Sequence, residues 1–141
     1  MGRIIAIANQ KGGVGKTTTA INLSAALASM DRKVLALDMD PQGNMTSGLG
    51  VDKESVEKTV YDLIIGNAGI DECIYKDALE NLDVLPSNIN LSAAEIELIG
   101  IDNKEYILQG EVKKIRENYD FIVIDCPPAL SMLTINAMTT A

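Results

Sequence analysis

The sequence has no histidine and no tryptophan, and its aromatic residues are one phenylalanine and four tyrosines. Without histidine, a zinc site would depend on cysteine, but the two cysteines, Cys73 and Cys126, lie far apart and have no CxxC spacing. We therefore expect reduced thiols, with neither a metal cluster nor a disulfide framework. Because aromatics are scarce, the core must consist of Ile, Leu, Val, Ala and Met side chains, which suits buried parallel strands.

Long apolar runs are also lacking. No stretch approaches the roughly 18 apolar residues that predict a membrane span, and the run over residues 4–8 is too short for a signal-peptide core. We expect a cytoplasmic protein that does not associate with membranes. The net charge of −8 makes this chain a poor binder of nucleic acid by charge. Its length predicts a single domain over residues 1–141.

Four apolar runs predict buried strands, at residues 4–8, 33–37, 82–85 and 121–124. Helical patterns separate them, and this alternation predicts an α/β fold, a parallel sheet with helices on both faces. The first helix is expected at about residues 16–30.

Local patterns predict helix boundaries further along the chain. The pairs Thr59 with Asp62 and Ser92 with Glu95 have the spacing of capping boxes. A helix over residues 104–118 should be weak or bent at Gly110, since glycine costs about 1 kcal/mol against alanine in a helix.

Residues 11–18 read KGGVGKTT and lie between the first predicted strand and the first predicted helix. A glycine-rich turn in this context brings backbone N–H groups and the positive end of the helix dipole to one point. The lysine Lys16 can contact the β and γ phosphates, and the Thr17 hydroxyl can bind Mg²⁺. The pattern predicts a nucleoside triphosphate site, with a ligand-free glycine turn as the alternative. The predicted site comprises Lys11, Gly12, Gly13, Val14, Gly15, Lys16, Thr17 and Thr18.

Two acidic segments follow predicted strands. Asp38 and Asp40 come after the second strand, and the turn formers Pro41 and Gly43 leave Asp40 free to orient a water. Asp125 ends the fourth strand and has the form of a Walker B carboxylate, which holds Mg²⁺. Because ligands bind at the carboxyl ends of strands in open α/β sheets, these acids are expected beside the phosphate loop. An ordinary turn and a chance Asp after an apolar run are the alternatives.

The phosphate loop departs from the general pattern G-x-x-x-x-G-K-[ST] at one position. Gln10 stands where the first glycine would be, and Lys11 opens a K-G-G-x-G-K-[ST] loop. With this loop the sequence resembles the ParA/Soj family of partitioning ATPases, which is related to MinD and the nitrogenase iron protein. The resemblance covers essentially all 141 residues, favours the Soj-like chromosomal branch, and includes the segments DPQGNMTSGLG, NLDVLPSN, AEIELI and LTINAMTTA.

The resemblance implies ATP and Mg²⁺ as cofactors and ATP hydrolysis as the activity. Lys11, Lys16 and Asp40 would be catalytic, with Lys11 acting on the nucleotide of a second subunit in an ATP-joined homodimer. Asp40 would position the attacking water, while Asp38 would support a metal shell that includes Thr17 and Asp125. The implied role is a switch in chromosome or plasmid partitioning, with a ParB-like partner, non-specific DNA and a nucleoid-associated location. The choice of ATP over GTP comes from the resemblance alone.

Members of this family are normally longer, so we expect the chain to be an N-terminal part with a truncated half-sheet. The family's sheet order places predicted strands three, two, four and one side by side, which would leave the first strand as an exposed edge and favour association. DNA contacts would lie beyond Ala141. Two alternatives stay open, a MinD-like membrane-cycling ATPase and an inactive nucleotide-binding fragment. An iron–sulfur reductase is disfavoured by the cysteine pattern, since Cys126 is better explained as a buried thiol.

Overall fold

The computed structural model describes residues 2–8, 14–128 and 131–141. At its centre lies a sheet of five strands in the order β1-β5-β2-β4-β3. The strands are β1 Arg3–Ile7, β2 Val34–Asp38, β3 Tyr75–Leu79, β4 Leu82–Leu85 and β5 Phe121–Asp125. The four predicted strands are therefore present, and β4, β2, β5 and β1 stand side by side in the expected order.

The strand β3 was missed by the sequence analysis. It pairs antiparallel with β4, whereas the other pairs in the sheet are parallel. Most of its side chains are exposed, its pairing is irregular, and Asp77 adopts a positive φ of 55°. A strand with no buried face gives no alternating apolar pattern, which explains why the prediction failed.

Seven α-helices accompany the sheet within the described residues. They are α1 Val14–Ser29, α2 Asn44–Gly48, α3 Val60–Ile64, α4 Ile70–Cys73, α5 Ala94–Glu97, α6 Ile107–Lys113 and α7 Met132–Thr140. Helix α1 agrees with the predicted first helix to within two residues at its start. The capping box of Thr59 and Asp62 opens α3 as predicted.

The second predicted capping box was wrong. The Ser92 hydroxyl donates to the Ile89 carbonyl oxygen in a 3₁₀ segment, and α5 begins after it, at Ala94. The Glu95 carboxylate instead accepts hydrogen bonds from the N–H groups of Met132 and Leu133, the first residues of α7. Glu95 therefore caps a helix that is distant in sequence, a contact that local spacing cannot predict.

The helix predicted over residues 104–118 is divided into three pieces. A 3₁₀ turn at Lys104–Tyr106 precedes α6, and a second 3₁₀ turn follows at Arg116–Asn118. Gly110 lies inside α6 and not at a break. The expected weakness of the segment is confirmed, but its placement at the glycine was wrong.

Successive residues of β2 face opposite sides of the sheet and belong to two separate core clusters. Leu35 and Leu37 pack in the larger cluster, which includes residues of α3, α4, α5, α6 and α7. Val34 and Ala36 pack in the smaller cluster with residues of α1 and α2. Both faces are thus covered by helices, as predicted. At the end of the sheet, β1 pairs with β5 alone among the described strands, and Ile4–Ile7 are half-buried.

Candidate functional site

Helix α1 begins at the carboxyl end of β1, where the sequence places its phosphate loop. Gly15, Lys16, Thr17 and Thr18 form the first turn of this helix, after Val14. That turn contains no acidic residue, so nothing in it opposes an anion at the positive end of the helix dipole. The predicted ligands Lys11, Gly12 and Gly13 lie outside the described residues, and of Val14 only the backbone is described.

Asp125 lies at the end of β5 and contacts the first turn of α1. The Lys16 ammonium forms an ion pair with one oxygen of its carboxylate, and the Thr17 hydroxyl donates to the other oxygen at 3.2 Å. Burial raises the pKa of Asp125, while the bonds from Lys16 and Thr17 oppose this rise. The structure thus brings together the predicted P-loop lysine, the predicted metal-binding hydroxyl and the predicted Walker B acid.

Asp38 and Asp40 follow β2 at the same edge of the sheet. The Asp38 carboxylate is fully buried and accepts hydrogen bonds from the Asp40 N–H at 3.1 Å and from the N–H and hydroxyl of Thr46 at 3.0 and 2.7 Å. Burial, aided by the nearby charge of Asp125, raises the pKa of Asp38 to about 7 against the effect of Thr46. Protein donors therefore occupy both oxygens of Asp38, which the sequence analysis expected to support a metal.

An open cleft of about 460 Å³ separates the start of α1 from the segment after β2. It is lined by Lys16, Thr17, Thr18, Ile21, Asp40, Gln42, Asn44 and Pro128. Asp40, the predicted water-positioning residue, and Lys16, the predicted phosphate ligand, therefore face one space. The cleft combines a cation, two hydroxyls, a helix start and the Asp40 carboxylate, which are groups that bind a phosphate chain with a metal ion.

The residues present fit Mg²⁺ better than a transition metal. The described residues contain no group of three or more His, Cys, Asp or Glu side chains that could hold a metal ion. Mg²⁺ is usually bound by one or two protein oxygens, with phosphates and waters completing its octahedron. The Thr17 hydroxyl and the Asp125 carboxylate, 3.2 Å apart, are oxygens of this type.

Two buried polar residues of this region were not singled out by the sequence analysis. Thr46 in α2 and Ser87 after β4 are both fully buried and hydrogen-bonded to the Asp38–Asp40 segment. The only signal in the sequence was the position of Ser87 just after an apolar strand. Cys126, in contrast, is the buried thiol that was expected, and burial raises its pKa to about 11.

A mostly parallel α/β sheet with a lysine–threonine helix start and an acid at the end of the adjacent strand defines the P-loop nucleotide-binding class. A family model described as an AAA domain matches residues 2–141, and the chain belongs to that family. It is 52% identical to the sporulation initiation inhibitor protein Soj of Bacillus subtilis over 141 residues, which are all of this chain and 56% of Soj. It is 48% identical to the chromosome partitioning protein ParA of Myxococcus xanthus, covering 100% of this chain and 50% of that protein.

Solved structures share the fold as well. The structure of cobyrinic acid a,c-diamide synthase from Mycobacterium smegmatis with a bound ATP analogue and magnesium superposes with a TM-score of 0.94. It is 39% identical, and the match covers 100% of this chain and 57% of that one. The predicted kinship with the ParA/Soj family is confirmed, and this related structure contains an ATP analogue and magnesium, in agreement with the predicted cofactors ATP and Mg²⁺. The chain spans about half the length of the curated relatives it matches.

No helix within the described ranges 2–8, 14–128 and 131–141 combines the length and the apolar character that crossing a bilayer requires.

Proposed function

We propose that this protein binds and hydrolyses ATP with Mg²⁺ and acts as a dimerisation switch in chromosome or plasmid partitioning. The observation that carries the proposal is the convergence of Lys16, Thr17 and Asp125 beside the cleft that Asp40 also lines. The fold alone does not decide the function, since a diamide synthase and partition proteins share it. The higher identity to Soj over the whole chain favours partitioning.

In the proposed reaction, the amides at the start of α1 and the Lys16 ammonium hold the phosphate chain. Lys16 leaves Asp125 to do so, which frees that carboxylate for the metal shell together with Thr17. Mg²⁺ would neutralise charge on the β and γ phosphates. Asp40 orients the attacking water, and Lys11 of a second subunit stabilises the charge that develops on the phosphates. Asp38 then has a supporting role, since protein donors occupy both of its oxygens.

The partners in the proposal follow the relatives. ATP would join two subunits, the dimer would bind DNA non-specifically through residues beyond Ala141, and a ParB-like protein would stimulate hydrolysis in the cytoplasm at the nucleoid. The net charge of this chain is −8, which disfavours contact with DNA phosphates. This supports a DNA-binding surface formed by other residues of the full-length protein.

The test measures Mg²⁺-dependent ATP binding and hydrolysis by the full-length protein, with and without DNA and its ParB-like partner. We expect partner-stimulated turnover, no nucleotide binding by Lys16→Ala, and loss of ATP-dependent dimerisation in Lys11→Ala. Lys58→Ala, which changes an exposed lysine, is the control. Turnover stimulated by anionic vesicles but not by DNA would favour the MinD-like alternative. Absence of nucleotide binding would overturn the proposal.

A further inference from the structure

Two buried hydroxyls join the end of β4 to the segment that contains Asp40. The Thr46 hydroxyl donates to the Asp38 carboxylate at 2.7 Å and accepts from the Ser87 N–H at 3.0 Å. The Ser87 hydroxyl donates to the Asp40 carbonyl oxygen at 2.8 Å. Thr46, Ser87 and Asp38 have 0% exposure. Together with Asp40, which is 5% exposed, they form a closed hydrogen-bond network between β2, α2 and the end of β4.

This network fixes the backbone of Asp40 on both sides of its Cα atom. The Asp40 N–H donates to Asp38, and the Asp40 carbonyl oxygen accepts from Ser87. The Gln42 N–H donates to one carboxylate oxygen, Oδ1, at 3.0 Å. Within the described residues, Oδ2 accepts no hydrogen bond. One carboxylate oxygen is thus held by the turn and the other is not held by the described residues, while Asp40 itself lines the cleft.

The chemistry of the network requires a hydroxyl group at Thr46, whereas the Ser87 hydroxyl adds a second hydrogen bond to the Asp40 carbonyl oxygen. Thr46 must donate to a carboxylate and accept from an N–H with one atom, which a valine of the same shape cannot do. Loss of the Ser87 hydroxyl leaves the Asp40 carbonyl oxygen with its bond from the Gly43 N–H at 2.9 Å. The fold would therefore tolerate the loss, but the orientation of Asp40 would be less restricted.

We propose that Thr46 and Ser87 are positioning residues that hold the Asp40 carboxylate in the orientation needed for ATP hydrolysis. The inference rests on the proposed function, in which Asp40 orients the attacking water. Neither residue touches the cleft, so both act through Asp40. Because small misplacements of a catalytic group can slow a reaction about a hundredfold, their loss should lower kcat more than it changes nucleotide binding.

The experiment compares Ser87→Ala, Thr46→Val and Thr46→Ser in the full-length protein by kcat, KM for ATP, affinity for Mg²⁺-ATP, and thermal unfolding. We expect kcat to fall about ten- to a hundredfold in the first two variants, with KM and affinity within about threefold of wild type. Thr46→Ser keeps the hydroxyl and should restore most of the activity. Ser47→Ala changes an exposed serine in the same helix and is the matched control.

The double variant Thr46→Val with Ser87→Ala tests whether the two residues act together. If the two residues hold Asp40 as one unit, the kcat of the double variant should equal that of the less active single variant. The two reductions in kcat should not multiply. Unchanged kcat in folded Ser87→Ala would overturn the inference, as would equal activity of Thr46→Ser and Thr46→Val. Loss of kcat in proportion to the folded fraction would also overturn it, because the role would then be structural only. An inactive wild type would instead reject the proposed function.

Discussion

Replacing Lys16 with methionine should destabilise the nucleotide-free protein. Lys16 pairs with the Asp125 carboxylate, which is 0% exposed. Removing one partner of a buried ion pair costs about 3–5 kcal/mol, because the other charge is left uncompensated. Thr17 keeps its hydrogen bond to Asp125, and the raised pKa of Asp125 eases its protonation. We therefore expect a loss near the lower limit, about 3 kcal/mol in the free energy of unfolding.

Urea denaturation followed by circular dichroism at neutral pH measures this loss. The matched rescue is Asp125→Asn in the Lys16→Met background, which replaces the unpaired carboxylate by a neutral amide of similar shape. We expect the double variant to recover much of the lost stability, whereas Lys58→Met, at an exposed position, should leave the unfolding curve unchanged. Saturating Mg²⁺-ATP should stabilise the wild type but not the Lys16→Met variant.

Two results would refute this reasoning. If Lys16→Met unfolded at the same urea concentration as the wild type, Lys16 would not be compensating a buried charge. If Asp125→Asn failed to rescue it, the loss would come from the packing of the lysine stem and not from the carboxylate.

Three further predictions concern the turn, one helix cap and the pH dependence. Gly43→Ala should lower the free energy of unfolding by about 1–3 kcal/mol. The φ angle of Gly43 is 64°, and a Cβ atom there would lie 2.9 Å from the Ser87 carbonyl oxygen. Gly50→Ala should cost less, because Gly50 also has a positive φ but a Cβ atom there would meet open space. Thr59→Ala removes the N-cap of α3 and should cost about 1 kcal/mol in urea denaturation; an unchanged midpoint would contradict it. Burial raises the pKa of Asp38 from 3.8 to about 7, so the folded state binds this proton more tightly than the unfolded chain. Its contribution to stability is therefore present at low pH and lost as the pH rises towards about 7. Asp38→Asn should flatten that slope, and an identical slope in both proteins would exclude this assignment.

The parallel strands and the main acids could be predicted because their signals are local. A buried strand covered on both faces has a continuous apolar sequence. The strands β2 and β5 each consist of four apolar residues followed by an Asp at the carboxyl end. Thr59 and Asp62 form a cap within one helical turn, which spacing alone encodes.

The features that escaped prediction depend on contacts between distant segments. Glu95 has the spacing of a local cap but binds the start of α7 across the fold. Thr46 and Ser87 are 41 residues apart, and nothing in the sequence around either residue indicates that the sheet brings them together. The strand β3 has no buried face to mark it. Local patterns determine which elements form, whereas these side chains acquire their roles only after the strands have been ordered.

The arrangement of the site follows from the register of the sheet. In strands, alternate residues face the same side, so Asp38 faces the side of Val34 and Ala36, and Asp125 faces the side of Val123. All three apolar residues belong to the cluster that packs against α1 and α2, and Asp38 pairs directly with Asp125 in the parallel register. A slip by one residue in β5 would turn Asp125 away from Lys16 and would also move Ile122 and Ile124 out of the larger cluster. The apolar packing that stabilises the fold therefore also places the carboxylates beside the start of α1.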